Sequence, residues 1–413
     1  MKTLRFIGMM LLATAMVGMT SCSKSDDNKD NGSGGGLNPY GLFDDSFAGA
    51  APSVSSNTVT ISNISAPSVE VGTNGLVGNF NLSGVQASDG DYLSLFGTGS
   101  SSQNIWLTID GIAKALDVIN ANSSTKAAIK GQADIVFLID NSGSMDDEAD
   151  AVAAEILTWA KSLSNAVDAR FACVGYGDNY YGVDGGMDLD DVTVLNEFLN
   201  NRPSHTYGTS RTQDFFGTNA TKLETAALSE SNGFYNGSYW ECGGLALHFA
   251  DQMFSWRSGA NRIFINFTDE PNQPNSYKEW SVETVNPKSQ LYNWSASKGT
   301  VHTVYSGEDE DDYKAPDGYY YTRNEASPYT EYEKPWAMSE YTGGASMFAK
   351  RDFSGVTLSS LEVTAAIQNS YVIRFNITDN LKSGNHNVTI TIKDGKGNEA
   401  VKTFSNLTFA LGN

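Results

Sequence analysis

The sequence has few positive charges and few histidines for its length. Its 413 residues include 27 lysines and arginines against 48 aspartates and glutamates, so the formal net charge is −21. A surface this acidic repels phosphate, which argues against nucleic acid and anionic lipid headgroups as partners and favours soluble cations. The four histidines are His205, His248, His302 and His386. They show no zinc-like spacing, so no zinc centre is expected.

Motifs of nucleophilic and nucleotide-dependent enzymes are also missing. Neither a G-x-S-x-G elbow nor a P-loop occurs in the sequence, so an enzyme is not expected. Cysteine is scarce as well, because only Cys173 and Cys242 follow Cys22. The sequence leaves open whether these two form a disulfide or remain buried free thiols.

Residues 1–21 have the features of a secretory leader, because Lys2 and Arg5 precede the apolar run 7–17 and a group of small residues. Beyond this leader, no apolar run in the sequence is long enough to span a bilayer. Residues 19–22 read Met-Thr-Ser-Cys and resemble the lipobox of bacterial lipoproteins, with Met19 in place of the usual Leu, Val or Ile. The resemblance implies a lipid anchor on Cys22. The alternative is an ordinary cleaved leader followed by an incidental cysteine.

Residues 23–27 read Ser-Lys-Ser-Asp-Asp and resemble the acidic export tag of some Gram-negative lipoproteins. This resemblance implies a position on the outer face of the outer membrane, with the lipid as the only contact with the membrane. Residues 28–36 are polar and rich in glycine. We therefore expect residues 22–36 to form a flexible tether.

The rest of the sequence predicts an α/β domain between two β-rich segments. Residues 37–130 and 370–413 contain short alternating runs separated by glycine, asparagine and serine, which is typical of a β-sandwich. In residues 131–369 strands alternate with helices, which predicts a doubly wound, mostly parallel, Rossmann-like sheet. We expect the two β segments to form one sandwich into which the α/β domain is inserted. Two separate small β modules are the alternative.

Hydrophobic periodicity places the main elements. It predicts buried strands at 135–139, 171–176, 262–267 and 300–305, and helices at 152–163, 192–199, 245–256, 288–297 and 358–367. Strands are also expected at 371–375, 388–392 and 401–404. Residues 394–398 read Asp-Gly-Lys-Gly-Asn, which predicts a hairpin between the last two of these strands.

A loop rich in carboxylate and hydroxyl groups follows the first predicted buried strand. Residues 140–144 read Asp-Asn-Ser-Gly-Ser and precede a helix that is expected to begin near Asp147. Ligands of open parallel sheets bind at the carboxyl ends of the strands, where the strand order switches. The loop can direct the carboxylate of Asp140 and the hydroxyls of Ser142 and Ser144 to one point. Such hard oxygen ligands suit Mg²⁺, Mn²⁺ or Ca²⁺.

The pattern Asp140-x-Ser142-x-Ser144 resembles the metal-ion-dependent adhesion site of von Willebrand factor type A (VWA) domains, and the similarity extends over about 133–353. In that family a second loop supplies a threonine and a third supplies an aspartate, around Mg²⁺ or Mn²⁺. Asp269 matches the aspartate, and a turn or cap aspartate is the alternative. Glu241 matches the glutamate that replaces the threonine in integrin β-subunit I-like domains. The alternative is an exposed glutamate at a helix start.

The same resemblance implies two flanking Ca²⁺ sites. Asp147 and Glu148 match an acidic pair that holds an adjacent calcium, and two acids in the first turn of a helix are the alternative. Asp178 and Asn236 match ligands of the other flanking site, although Ser238 stands where that family has an aspartate. Ordinary loop residues are the alternative for this second pair.

Two long insertions are rich in aromatic residues. Residues 207–240 include Tyr235, Tyr239 and Trp240, and residues 308–336 include Tyr320. We expect both segments to surround the metal face and to contact a ligand. The alternative is that their aromatic rings only pack the loops down.

These features together predict a surface adhesin or receptor whose metal captures an acidic group of an extracellular protein or other ligand. Two further hypotheses stay open. One is a structural or tip subunit of a surface assembly such as a pilus. The other is carbohydrate binding by the tyrosine-rich loops, which needs no metal.

Overall fold

The structure is a computed structural model that describes residues 42–72, 75–121, 132–177, 182–202, 215, 241–274, 277–306, 333–350, 353 and 356–411. All of them belong to one unit, Gly36–Asn413. The predicted leader and tether, with Cys22, lie outside the described residues. Among the described residues, none of the helices combines the length and the apolar character needed to cross a membrane.

The N-terminal segment consists of short strands. They are β1 (Val59–Thr60), β2 (Ser68–Gly72), β3 (Gly75–Leu82), β4 (Gln86–Ala87), β5 (Ile105–Ile109), β6 (Ile112–Lys114) and β7 (Asp117–Asn120). A short 3-10 helix, Asp45–Phe47, precedes them. The C-terminal segment also consists mainly of strands.

The middle of the chain alternates strands and helices. Its strands are β8 (Gln132–Asp140), β9 (Asp168–Tyr176), β10 (Val183–Asp190), β11 (Asn261–Thr268), β12 (Thr300–Tyr305) and β13 (Ser346–Phe348). Its α-helices are α1 (Ala149–Ser164), α2 (Val192–Asn200), α3 (Gly243–Met253), α4 (Ala337–Thr342) and α5 (Glu362–Gln368). Its 3-10 helices are Gly143–Asp147, Lys278–Trp280, Val282–Val285, Ala296–Lys298 and Leu358–Ser360. The C-terminal strands are β14 (Tyr371–Asn376), β15 (His386–Lys393), β16 (Glu399–Leu407) and β17 (Ala410–Leu411), with a 3-10 helix at Asp379–Leu381.

The strands of the middle segment form a six-stranded sheet in the order β10-β9-β8-β11-β12-β13. All neighbours are parallel except β9 and β10. The predicted mixed α/β fold with a mostly parallel sheet is therefore confirmed. The chain leaves β8 towards β9 and later returns to β11 on the other side of β8, so the strand order switches between β8 and β11. In open α/β sheets, ligands bind at the carboxyl ends of the strands at such a switch point.

Helices cover both faces of this sheet, which explains why its central strands are continuous apolar runs. On one face, Phe137 of β8 packs edge-on against Trp159 of α1, with ring centroids 6.0 Å apart. Helices α2 and α5 join the same core. On the other face, Val136 and Leu138 lie in the core that contains α3 and Trp280.

Strands from both ends of the chain share two antiparallel-rich sheets. One has the order β17-β2-β3-β14-β7 and the other β16-β15-β5-β6. Phe80 of β3 is the register partner of Ile373 of β14, and Leu107 of β5 is that of Ile390 of β15. Side chains of both sheets form a single hydrophobic core. The predicted hairpin at 394–398 is confirmed by the antiparallel pairing of β15 with β16.

The prediction of a helix at 288–297 is wrong. This stretch consists of turns that side chains hold, because the amide of Lys288 donates to Asn286 Oδ1 and the amide of Leu291 donates to Ser289 Oγ. Asparagine and serine compete in this way with helical hydrogen bonds. The apolar spacing does not mark a buried helical face, because Trp294 is the one buried residue of this stretch, where it packs edge-on against Phe264 and donates its indole N–H to the Gly299 carbonyl.

The cysteines are both buried and free. Cys173 lies in the core on the α1 side of the sheet and Cys242 in the core on the α3 side. The sequence allowed either a disulfide or two buried free thiols, and the structure has the free thiols. Burial raises the pKa of both thiols well above the ordinary value, which keeps them protonated and unreactive at neutral pH.

The buried carboxyl group of Asp134, near the start of β8, yields a stability prediction. Asp134 is fully buried, and Arg257 contacts its Oδ1 through Nε at 2.6 Å and its Oδ2 through the backbone amide at 2.8 Å. Replacing Arg257 with Met leaves a buried carboxyl without its guanidinium. We expect a loss of about 3–5 kcal/mol in the free energy of unfolding, measured by urea denaturation. The exposed Arg170→Met should change it by less than about 0.5 kcal/mol. Equal effects of the two changes would contradict the prediction.

Candidate metal centre

The parallel pairing of β8 with β11 brings two parts of the candidate site together. Ile139 is the register partner of Phe267, so the next residues, Asp140 and Thr268, lie side by side at the carboxyl ends of the two strands. The Thr268 hydroxyl donates to Asp140 Oδ2 at 2.8 Å. Asp269 follows directly and therefore lies at the same edge of the sheet.

The loop after β8 folds back over this edge. The backbone amide of Ser142 donates to Asp140 Oδ1 at 2.8 Å, which fixes the start of the loop. The hydroxyls of Ser142 and Ser144 are 3.0 Å apart, and the Ser144 hydroxyl donates to Asp269 Oδ1 at 3.1 Å. An unbroken set of oxygen contacts thus runs from the first loop to the third.

Glu241 lies at the same edge of the sheet. It immediately precedes Cys242, which is the N-cap residue of α3. Its Oε2 accepts a hydrogen bond of 3.2 Å from Gln273 Nε2, and its carbonyl accepts one of 3.0 Å from the Gln273 amide. Gly177 marks how closely Glu241 approaches Asp140. A Cβ on this glycine would lie 3.1 Å from Asp140 Oδ1 and 3.1 Å from Glu241 Cγ. The two carboxylate side chains therefore lie against the same glycine.

The clustered carboxyl groups share a poorly solvated space. Asp140 is 1% exposed. Burial, followed by the negative charge of Asp269, raises the pKa of Asp140 to about 7. The pKa of Glu241 is also raised far above its ordinary value, first by burial and then by neighbouring carboxylates, of which Asp140 has the largest effect. Like charges held this close favour either bound protons or a bound cation.

The groups present fit a hard divalent cation. Three carboxylates and two hydroxyls are oxygen ligands of the kind that Mg²⁺ and Ca²⁺ prefer. Within the described part of the chain, no lysine, arginine or histidine forms an ion pair with Asp140 or Glu241. Within the same residues, no three His, Cys, Asp or Glu side chains are arranged to hold a metal ion by themselves, so Asp140, Glu241 and Asp269 do not form a complete three-carboxylate ligand set in this structure.

The structure also places one of the predicted flanking residues. Glu148 is fully buried and is the residue before α1, where its Oε1 accepts a hydrogen bond of 3.2 Å from Ser306. It is therefore a buried residue at the start of α1. Asp147 ends a 3-10 helix, but its side chain lies outside the described residues.

The other predicted positions lie outside the described residues. They are the flanking ligands Asp178 and Asn236 and the ligand-rim residues Tyr235, Tyr239, Trp240 and Tyr320. Two aromatic residues of the insertions are described, and both are buried. Phe215 lies in the core and its amide donates to Asn141 Oδ1, while Trp336 packs edge-on against Tyr305. These two rings therefore contribute to packing within the described part of the chain.

Sequence reasoning missed three residues that shape the site, namely Thr268, Gly177 and Gln273. Thr268 had a usable signal, because it comes immediately before Asp269 at the end of a predicted strand. Once β8 and β11 are assumed to be parallel neighbours, Thr268 must lie beside Asp140. Gly177 and Gln273 carry no such signal, since their roles depend on the conformation of loops.

The raised pKa of Asp140 predicts how the metal-free protein responds to pH. An unfolded aspartate has a pKa of about 3.9, whereas the folded value is about 7. Between these values the folded state holds a proton that the unfolded state has lost, so stability falls as pH rises and the penalty is complete above the folded pKa. With a chelator present, the melting temperature should therefore drop from pH 5 to pH 8. Asp140→Asn should flatten this slope, and the exposed Asp89→Asn should not. An unchanged slope in Asp140→Asn would refute the assignment.

Comparison with known proteins adds little to this geometry. No protein-family model matches the chain, and no curated protein is significantly similar to it. Among solved structures, the human COPII-coat protein Sec24c is similar to 71% of this chain, with 10% sequence identity and a TM-score of 0.29. The chain spans 46% of the Sec24c chain. A TM-score this low supports no inference about fold or function.

Proposed function

We propose that the chain is a surface-anchored adhesin or receptor that binds an acidic group of an extracellular ligand through a divalent cation in a VWA-type domain. The observation that carries the proposal is the convergence of Asp140, Ser142, Ser144, Glu241 and Asp269 at one edge of the parallel sheet. These side chains come from three separate loops. Their oxygens would hold Mg²⁺ or Mn²⁺.

A bound divalent cation would supply an electrophilic centre that accepts a carboxylate from outside. The overall charge of the chain makes this contribution important. At −21, the protein repels acidic partners over most of its surface. The cation is then the feature that turns this edge of the sheet from a repulsive into an attractive surface for a carboxylate.

The position of the α/β domain supports a role in presentation. Asn120 at the end of β7 is the register partner of Tyr371 at the start of β14, and the Ala121 amide donates to the Ser370 carbonyl at 2.9 Å. The chain therefore leaves and re-enters the β-sandwich at one place, as expected for an inserted domain. Asp140 ends the nine-residue strand β8, which is about 30 Å long. In this proposal the sandwich, tethered by the lipid on Cys22, presents the metal face to a partner.

Direct metal titration tests the first part of this proposal. We expect Mn²⁺ to bind the leaderless chain in calorimetry and Asp140→Ala to weaken binding by about a hundredfold or more. Thr268→Val removes the hydrogen bond that orients Asp140, together with the contacts of the same hydroxyl with the Glu270 backbone, so the loss should be about 10–100-fold. Asp89→Ala, at an exposed turn of the sandwich, serves as the matched control and should bind like the wild type. Equal Mn²⁺ affinity in all four proteins would exclude this site.

Capture of partners tests the second part. The leaderless chain on beads should retain an extracellular protein in Mg²⁺, and both a chelator and Asp140→Ala should release it. The bead-bound chain should be offered extracellular proteins that the bacterium does not make in one arm and membrane proteins of the bacterium itself in the other. Chelator-sensitive capture in the first arm supports an adhesin, whereas such capture only in the second arm supports a subunit of a surface assembly. Capture that survives both the chelator and Asp140→Ala would contradict a metal-dependent mechanism.

A further inference from the structure

A cavity of about 60 Å³ with both polar and apolar walls lies at the other end of the parallel sheet, far from the candidate metal centre. Its walls come from the first residues of β11 and β12, from α5, and from sandwich loops around Asn63 and Gly84. Glu362 and Gly343 are the exposed residues of the lining, so the opening to solvent lies beside them. The cavity exists only because the sandwich and the α/β part meet here.

His302 gives this cavity a hydrogen-bond donor of defined identity. The side chain is 4% exposed, and its Nδ1 accepts a hydrogen bond of 3.0 Å from the Ala345 amide. Because Nδ1 is an acceptor, the ring proton is on Nε2. Burial lowers the pKa of His302 to about 4, so the ring is neutral at physiological pH.

The Nε2–H group has no hydrogen-bond partner among the described residues, although it is buried. Leaving a buried donor without an acceptor costs about 1–3 kcal/mol, so such groups are rare unless something else satisfies them. His302 lines the cavity. An acceptor oxygen placed in the cavity would remove this cost.

The remaining lining disfavours a charged ligand. Arg262 is the cation of the lining, but Asp251 lies 3.6 Å from its Nη1 and its guanidinium lies over the Trp256 ring at 4.5 Å. Its charge is thus already balanced. Asn63 also has an internal partner, since its Nδ2 donates to Thr300 Oγ1 at 3.0 Å. The donor that still lacks a partner is therefore the neutral Nε2–H group of His302.

One wall of the cavity is apolar. Ile263, Val363 and Ile367 are each buried and line it together with Ala366. A volume of about 60 Å³ has room for roughly four water-sized groups. The occupant must therefore be small, or the small end of a larger molecule that enters past Glu362. It must also combine a hydrogen-bond acceptor with a methyl-sized apolar part.

We infer that this cavity binds an acetamide group, such as that of an N-acetylated sugar, with its carbonyl oxygen accepting from His302 Nε2–H and its methyl group against Ile263, Val363 and Ile367. An acetamide group has four non-hydrogen atoms, is neutral and carries both required parts. The rest of the ligand would extend into solvent between Glu362 and Gly343. This site is independent of the proposed metal centre, since it lies at the opposite end of the strands.

Long-range ¹H–¹⁵N NMR of the histidine rings tests the inference on the leaderless chain. The chain has only four histidines, and His302→Phe assigns the His302 signal by its loss. The probes are N-methylacetamide, N-acetylglucosamine and glucose, the last of which lacks the acetamide. We expect saturable movement of the His302 Nε2–H signal with the acetamides and none with glucose.

Two matched variants keep the test decisive even if His302→Phe destabilises the fold. Ala366→Met fills the cavity from α5, and Ala365→Met makes the same change at a neighbouring position of that helix that does not line it. Ala366→Met should weaken acetamide binding at least about tenfold, and Ala365→Met should leave it unchanged.

Each outcome of the NMR titration is decisive. Binding of both acetamides supports a sugar ligand, and binding of N-methylacetamide alone supports an acetylated amine or peptide end. No response to either acetamide would mean that water alone satisfies His302, and would overturn the inference. Equal binding by the two methionine variants would overturn it as well.

Discussion

The parallel pairing of β8 with β11 is the constraint on which the candidate site depends. Both strands are buried on both faces, so their register is fixed by two hydrophobic cores and not by the polar residues at their ends. That register places Asp140 beside Thr268 and, with it, Asp269. The sheet thus holds carboxylates closer together than their charges favour, and the cores on either side supply the free energy that keeps them there.

The sequence predicted those parts of the structure that follow from local pattern. Buried strands show as apolar runs, and Asp140, Ser142, Ser144 and Asp269 stand directly after two of them. The edge strand β10 was not predicted, because Gly185 and Gly186 interrupt its alternation. At Gly186 a Cβ would lie 2.5 Å from the carbonyl oxygen of Cys173, so the close approach to β9 requires glycine. Strand β13 and helix α4 are too short to show a period. Such elements are defined by the neighbours they pack against, which a sequence read alone does not display.

The molecule has two polar regions at opposite ends of one sheet, and they differ in their chemistry. At the carboxyl ends of the strands, several carboxylates lie close together, an arrangement that a positive charge would stabilise. At the other end, the neutral Nε2–H group of His302 would be stabilised by a hydrogen-bond acceptor, and the sandwich forms part of the cavity wall. Helix α5 joins the two parts of the fold, since Gln368 is followed within three residues by β14 and the Gly84 amide of the sandwich donates to the Ala366 carbonyl. The sandwich is therefore more than a spacer, because it supplies part of the wall of a cavity that neither part forms alone.

In the proposed metal centre, side chains from three loops share one cation. Diffraction from crystals soaked in Mn²⁺, recorded at a wavelength where manganese scatters anomalously, tests this most directly. This arrangement predicts a single strong anomalous peak within coordination distance of Asp140, Ser142 and Ser144, with Glu241 and Asp269 around it. An ordered site without such a peak, or with a peak bound by other residues, would contradict it.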